Sequence, residues 1–157
     1  MHRKLTAVAV LAITSVTLAA VAAAGPVAAK QQVAIQLTTG GTDEPFVLTP
    51  QTAGAIKRDT GVATFCCWSS RRVMRDGQAI DINDPQLTLT GKRGTLVLRN
   101  RIEWVDIPDG WSVFTGTWKV IRGTGAYAGL SGGGRGAGVQ LANSSGKSQF
   151  DGFLSSK

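Results

Sequence analysis

Glycine is concentrated in one segment of this chain, and that segment constrains the fold more than any other feature. Residues 116–138 read GTWKVIRGTGAYAGLSGGGRGAG, so an alternating strand runs into a Gly-Thr-Gly turn, an aromatic residue and a run of glycines. Glycine adopts positive φ angles and lets backbones approach closely, and such a run is typical of sharp corners between strands. The aromatic Tyr127 can cover the backbone that the glycines leave bare. The segment therefore predicts a small closed β-barrel in which the chain turns a sharp corner between two strands at these glycines.

Turn residues recur along the rest of the chain at the spacing of an antiparallel meander. They separate about eight short strands, and no stretch after residue 29 has the apolar stripe of a helix. The extended segments lie at residues 32–38, 62–75, 79–82, 87–89, 95–107, 111–122, 136–142 and 148–154, and residues 46–48 fit either a further short strand or a loop. A barrel or a sandwich suits this pattern, and closure into a barrel removes exposed sheet edges. We predict an all-β fold, a single small antiparallel β-barrel of about eight strands.

Alternation along two of these strands separates an apolar from a polar face. The apolar set on the first strand is Leu96, Leu98, Asn100, Ile102 and Trp104, and on its partner Phe114, Trp118 and Val120. The more apolar faces are expected to point into the barrel. The Asp76-Gly77 pair predicts a hairpin turn.

Residues 1–29 have the pattern of a secretory signal peptide. A positive start at residues 2–4 precedes an apolar, alanine-rich stretch, and small residues offer cleavage sites before Gly25 and Lys30. A retained membrane anchor is the alternative, because about 20 apolar residues can span a bilayer. The threonines, serines and alanines make the stretch only weakly apolar, so we predict a secreted protein with no stable membrane insertion.

Residues 30–157 are long enough for one domain with a core and too short for two ordinary ones. The chain has 17 basic and 10 acidic side chains, and of the basic ones only Arg3 and Lys4 lie in the leader, which leaves a mature net charge of +5. The basic residues are scattered, without a stripe of interleaved aromatics, so we expect no nucleic-acid binding. The sequence leaves homo-oligomerisation open.

The only histidine, His2, lies in the leader. The mature chain therefore lacks the residue needed for Ser-His-Asp and Cys-His catalysis and for histidine ligation of metals. We predict no metal and no cofactor.

Cys66 and Cys67 are the only cysteines, and they are adjacent. Neighbouring Cα atoms are about 3.8 Å apart, below the usual disulfide range of about 4.4–6.8 Å. In a strand the two side chains would point to opposite faces. Two free thiols, one inward and one outward, are favoured over a strained vicinal disulfide and over an intermolecular bridge.

The glycine segment resembles the strand-turn signature of the dirigent and allene oxide cyclase barrel superfamily, in particular secreted bacterial members of uncharacterised activity. That signature is a strand ending in Gly-Thr-Gly, followed by an aromatic, a small residue and glycine. The matching positions are Gly123, Thr124, Gly125, Tyr127, Ala128, Gly129 and Gly132, with Gly116-Thr117-Trp118 upstream. The resemblance implies a barrel and assigns these residues to a structural turn. It maps no catalytic residue onto this chain, and Arg122 stands where dirigent proteins commonly have a further glycine.

Two residues are weak candidates for catalysis. Glu103 shares a strand face with Arg99 and Arg101, and a carboxylate that lined the lumen could accept a proton. A solvent-facing charged surface is the favoured alternative, because arginine is rarely buried without a partner. Tyr127 is the second candidate, because its hydroxyl group would also favour catalysis if it lay inside the lumen.

Aromatic residues are the candidates for ligand binding. An apolar pocket at a barrel mouth could be lined by seven of them, Trp68, Trp104, Trp111 and Trp118 together with Phe65, Phe114 and Phe150. Core packing is the favoured alternative, because a barrel of about eight strands is largely filled by its own side chains.

Three functions follow from these features. The first is a secreted barrel that holds a small apolar molecule in or at its mouth. The second is a cyclase or isomerase that steers a reactive intermediate by shape and water exclusion, without histidine or metal. The third is a structural or interaction protein of the cell envelope that uses its cationic outer face.

Overall fold

A computed structural model describes residues 30–40 and 44–156, and the predicted signal peptide lies outside them. Within the described residues, ten antiparallel strands form one sheet. They are β1 (Lys30–Thr39), β2 (Glu44–Pro50), β3 (Asp59–Cys66), β4 (Ser70–Arg75), β5 (Gln78–Asn83), β6 (Gln86–Gly91), β7 (Gly94–Ile107), β8 (Trp111–Gly123), β9 (Leu130–Gln140) and β10 (Gly146–Ser156). No helix in this part of the chain is long and apolar enough to cross a membrane.

Eight of the strands close into a barrel. Around its wall the order is β7-β6-β3-β2-β1-β10-β9-β8, and β8 pairs back onto β7. The barrel closes because β7, which spans 14 residues, pairs with β6 along one edge and with β8 along the other. The predicted all-β barrel of about eight strands is confirmed.

The remaining two strands, β4 and β5, form a hairpin beside the barrel wall. Residues 62–75 were expected to be one extended segment, but the strand breaks where Cys67 adopts a φ of 61°. Before the break β3 pairs with β6, and after it β4 pairs with β5, which in turn pairs with the second half of β7. The hairpin turns at Asp76-Gly77, as predicted. The arginines of β4, at positions 71, 72 and 75, are exposed.

The apolar faces of the strands point inward, as their alternation predicted. Leu98 and Ile102 of β7 are buried, whereas Arg99 and Arg101 between them are exposed. The same side of β7 carries Asn100, which is 1 % exposed and whose amide oxygen and nitrogen have no hydrogen-bond partner among the described residues. The barrel interior is thus an apolar core with one unpaired amide.

Gly132, Gly133 and Gly134 lie inside β9, although the sequence placed them at a corner, and Gly136 and Gly138 lie in the same strand, as predicted. On β9, Gly136 lies opposite Phe150 of β10, and Gly138 lies opposite Phe114 of β8. A Cβ atom added to Gly136 would overlap the ring of Phe150, and one added to Gly138 would overlap the ring of Phe114. Small and large residues therefore complement each other across the sheet, as the limited interior of a small barrel requires.

We expect Gly136→Ala to lower the free energy of unfolding by about 1–3 kcal/mol, because the added methyl group overpacks the core against Phe150. Urea denaturation measures this change. In a Phe150→Leu background the same substitution should be less harmful, because the smaller side chain leaves room for the methyl group. Strictly additive effects of the two substitutions would contradict this account.

Candidate functional site

The Gly-Thr-Gly turn closes one end of the barrel. After β8, the N–H of Thr124 donates to the carbonyl oxygen of Thr95 (2.8 Å), and its hydroxyl oxygen accepts the N–H of Thr95 (3.0 Å). Gly125, with a φ of 57°, lies so close to the β6–β7 turn that a Cβ would overlap the carbonyl oxygen of Arg93. The turn can dock here because it lacks that side chain.

Tyr127 follows this turn and reaches across the closed end to Asp59, the first residue of β3. Its hydroxyl donates to a carboxylate oxygen of Asp59 at 2.8 Å. The same carboxylate accepts the backbone N–H groups of Thr60 (2.9 Å), Lys92 (3.1 Å) and Arg93 (3.2 Å). Tyr127 and Asp59 are both almost fully buried. One carboxylate therefore joins three segments of the chain that are distant in sequence.

These contacts fix the protonation states of both groups. Burial on its own would raise the pKa of Asp59, but the hydrogen bonds from Tyr127 and from the three backbone N–H groups stabilise the carboxylate and bring its pKa below the ordinary value. Burial raises the pKa of Tyr127 well above that of a free phenol, and the neighbouring carboxylate raises it further. At neutral pH the pair is a neutral phenol and a carboxylate, an arrangement suited to holding the barrel closed.

The opposite end of the barrel is open and holds a cavity of about 840 Å³. Four aromatic rings line part of its wall, together with aliphatic and polar side chains, and they come from Phe65 on β3, Trp68 after β3, Trp104 on β7 and Phe114 on β8. The rings of Trp104 and Phe114 are 4.8 Å apart between centroids and are tilted by 50°. The volume and the aromatic wall are those of a small-molecule site. We call this space the mouth cavity.

The break in the strand at Cys67 shapes the rim of the mouth cavity. In an unbroken strand, residues 65 and 68 would point to opposite faces of the sheet. The positive φ of Cys67 interrupts the alternation, and the rings of Phe65 and Trp68 stack at 5.9 Å with an angle of 27°. Trp68 remains 56 % exposed, so its ring stands at the entrance rather than in the core.

Glu44 adds a carboxyl group to this aromatic wall. It begins β2 directly opposite Ala63, which is buried and faces the interior. Glu44 is half-buried, and its Oε2 atom has no hydrogen-bond partner among the described residues. Burial raises the pKa of this carboxyl group. The cavity therefore combines aromatic surface with one ionisable group.

The other candidates from the sequence lie away from the mouth cavity. Glu103 is on the outer face of β7, where its carboxylate pairs with Arg75 at 3.1 Å and borders an outer groove of about 610 Å³. Trp118 is 3 % exposed and packs deeper in the core, with its indole N–H 3.3 Å from the carbonyl oxygen of Asp151. The structure thus brings Trp68, Trp104 and Phe114 together and separates Trp118, Glu103 and Tyr127 from them.

The two cysteines lie at the break between β3 and β4 as free thiols. Both are exposed, rather than one on each face as expected, because Cys67 leaves the strand geometry. A hydrogen bond with the Cys67 thiol raises the pKa of Cys66.

Two important residues, Glu44 and Asp59, were not recognised from the sequence. Alternation along β2 places Glu44 on the same face as Phe46 and Leu48, which are buried. The sequence pattern could therefore have indicated that Glu44 faces the interior. Asp59 begins its strand beside a polar connection, and its distant partners are the hydroxyl of Tyr127 and backbone groups at residues 92 and 93, so the sequence carries no pattern for these contacts.

Comparison with known proteins gives no independent assignment. No protein family model, curated protein or solved structure matches this chain. The function is therefore argued from the geometry of the barrel.

We expect Tyr127→Phe to lower the free energy of unfolding by about 1–3 kcal/mol at neutral pH, because Asp59 stays buried with one donor fewer. The lowered pKa of Asp59 stabilises the fold above its unfolded-state pKa of about 3.9, and this contribution is lost as the pH falls through the folded-state value. The loss in free energy of unfolding caused by Tyr127→Phe should therefore become smaller in acid. Urea titrations at several pH values measure this change.

Ser112→Ala is the matched control for Tyr127→Phe. It removes a hydroxyl–carboxylate hydrogen bond of 2.7 Å to Asp106 that is exposed to solvent. Its effect should stay within about 0.5 kcal/mol. A deficit of Tyr127→Phe that does not change with pH would show that the hydrogen bond to Asp59 is not its cause.

Proposed function

We propose that this protein holds a small, mainly apolar molecule in the mouth cavity, at the open end of the barrel. The observation that supports this is the aromatic wall formed by Phe65, Trp68, Trp104 and Phe114 around about 840 Å³ of space. The core below is filled by side chains, so the cavity is confined to one end. A ligand would enter past the exposed ring of Trp68 and pack on Trp104 and Phe114.

A cyclase or isomerase is the second candidate, and Glu44 is the observation that favours it. A carboxyl group with a raised pKa in an aromatic cavity can exchange a proton with a bound molecule. The two catalytic candidates from the sequence lie elsewhere, since Glu103 is outside the barrel and Tyr127 is bonded to Asp59 at the closed end. Binding without turnover is preferred, because among the described residues that line the cavity Glu44 has no second acid or base beside it.

The proposal includes export from the cell and a relationship to the dirigent and allene oxide cyclase barrels. Residues 1–29 have the pattern of a signal peptide, and a barrel that binds apolar molecules is useful where such molecules meet water. The closed barrel agrees with the fold that the family resemblance implies. The proposal is further supported by Gly123, Thr124 and Gly125, which the resemblance assigns to a structural turn and which lie at the end of β8 and in the turn after it.

We expect Trp68→Ala to weaken binding of an uncharged dye such as N-phenylnaphthylamine by about tenfold, which corresponds to about 1.4 kcal/mol. The side chain is exposed, so its removal should leave the fold intact. Dye fluorescence in a protein titration measures the dissociation constant.

Trp111→Ala is the matched control, because Trp111 is 44 % exposed and is not among the residues that line the mouth cavity. This variant should bind the dye like the unaltered protein. Equal loss in both variants, or no dye binding by the unaltered protein, would contradict the proposed function.

A further inference from the structure

The mouth cavity contrasts in charge with the chain that builds it. The chain is strongly basic, with a formal net charge of +7. Among the described residues, the ionisable side chain that lines the mouth cavity is an acid, Glu44. The described lysines and arginines do not line this cavity. The local charge of the site is therefore opposite to that of the protein.

Glu44 also lacks a counter-charge. The ion pairs within residues 30–40 and 44–156 are Arg72–Asp81 and Arg75–Glu103, and neither includes it. Its Oε2 atom is buried, and no donor from residues 30–40 or 44–156 reaches it. A carboxylate withdrawn from water in this way is stabilised when a cation or a hydrogen-bond donor reaches it. Glu44 is one of the residues that line the mouth cavity, so such a group would approach its side chain from there.

The aromatic wall favours the same kind of group. The faces of tryptophan and phenylalanine rings carry negative partial charge and attract cations, most strongly where water is excluded. Two tryptophans, Trp68 and Trp104, line the cavity together with Phe65 and Phe114. Aromatic rings around a carboxylate form a site suited to an organic ammonium group.

We propose that the mouth cavity selects organic cations, specifically ammonium compounds with an apolar body. The ammonium group lies at the carboxylate of Glu44, and the apolar body packs against Trp104 and Phe114. This inference rests on the proposed function, because it names the chemical class of the molecule held there.

Two probes of equal shape test the preference for a cation. The first is para-hydroxyphenyltrimethylammonium, and the second is para-tert-butylphenol, in which carbon replaces the charged nitrogen. Isothermal titration calorimetry at neutral pH gives a dissociation constant for each probe. We expect the cation to bind at least about tenfold more tightly than its neutral counterpart.

Glu44→Gln should remove most of this preference while leaving the affinity for para-tert-butylphenol within about threefold. Glu103→Gln is the matched control, because it removes the same charge from the outer face of the barrel, and it should keep the preference. The inference is overturned if the neutral probe binds as tightly as the cation, or if Glu44→Gln keeps the preference.

The same titrations separate this inference from the proposed function. Binding of both probes with equal affinity leaves an apolar site and removes the cation preference. Binding of the cation alone would support the inference and limit the proposed function to charged ligands. Binding of neither probe overturns both.

Discussion

An eight-stranded barrel encloses little more space than its own side chains fill, and this limit governs the whole molecule. Large rings on β8 and β10 occupy the interior, and the glycines of β9 provide the room for them. A strand of ordinary residues at β9 would overfill the core, since even a single Cβ at Gly136 or Gly138 would overlap a neighbouring ring. Because the rings and glycines pack the middle of the barrel, free volume is left where the strands end.

The two ends of the barrel differ because their turns differ. At one end the glycine turn after β8 packs closely against the β6–β7 turn. At the same end the carboxylate of Asp59 accepts four hydrogen bonds from three segments of the chain. At the other end the chain breaks at Cys67, and the Trp68 side chain is directed to the rim. The closed end thus uses polar groups that satisfy one another, whereas at the open end Glu44 has a side-chain oxygen that no described residue pairs with, in the cavity that the aromatic rings also line. The stabilising contacts of Asp59 and the proposed binding site therefore lie at opposite ends of the same strands.

The sequence predicted the barrel because strand alternation and turn residues are local signals. The inward faces of β7 and β8 and the Asp76-Gly77 hairpin followed from the same signals. The start of β9 was misplaced because glycine permits both a corner and a strand, and only the pairing of Gly132, Gly133 and Gly134 with β10 distinguishes them. The stacking of Trp68 on Phe65 depends on one backbone angle at Cys67, and no side-chain pattern encodes it. Local patterns therefore gave the architecture, whereas the site depends on contacts between segments that are distant in sequence.

Closing the barrel leaves one sheet border unpaired among the described strands, the outer side of β4. Free borders of this kind recruit strands from other molecules and seed aggregation. Here Arg71, Arg72 and Arg75 give β4 a dense positive charge, although Arg72 and Arg75 are partly neutralised by Asp81 and Glu103. Two such borders would repel each other when brought together. The positive charge of β4 therefore disfavours pairing of two copies through this border, whatever other contacts between copies the barrel makes.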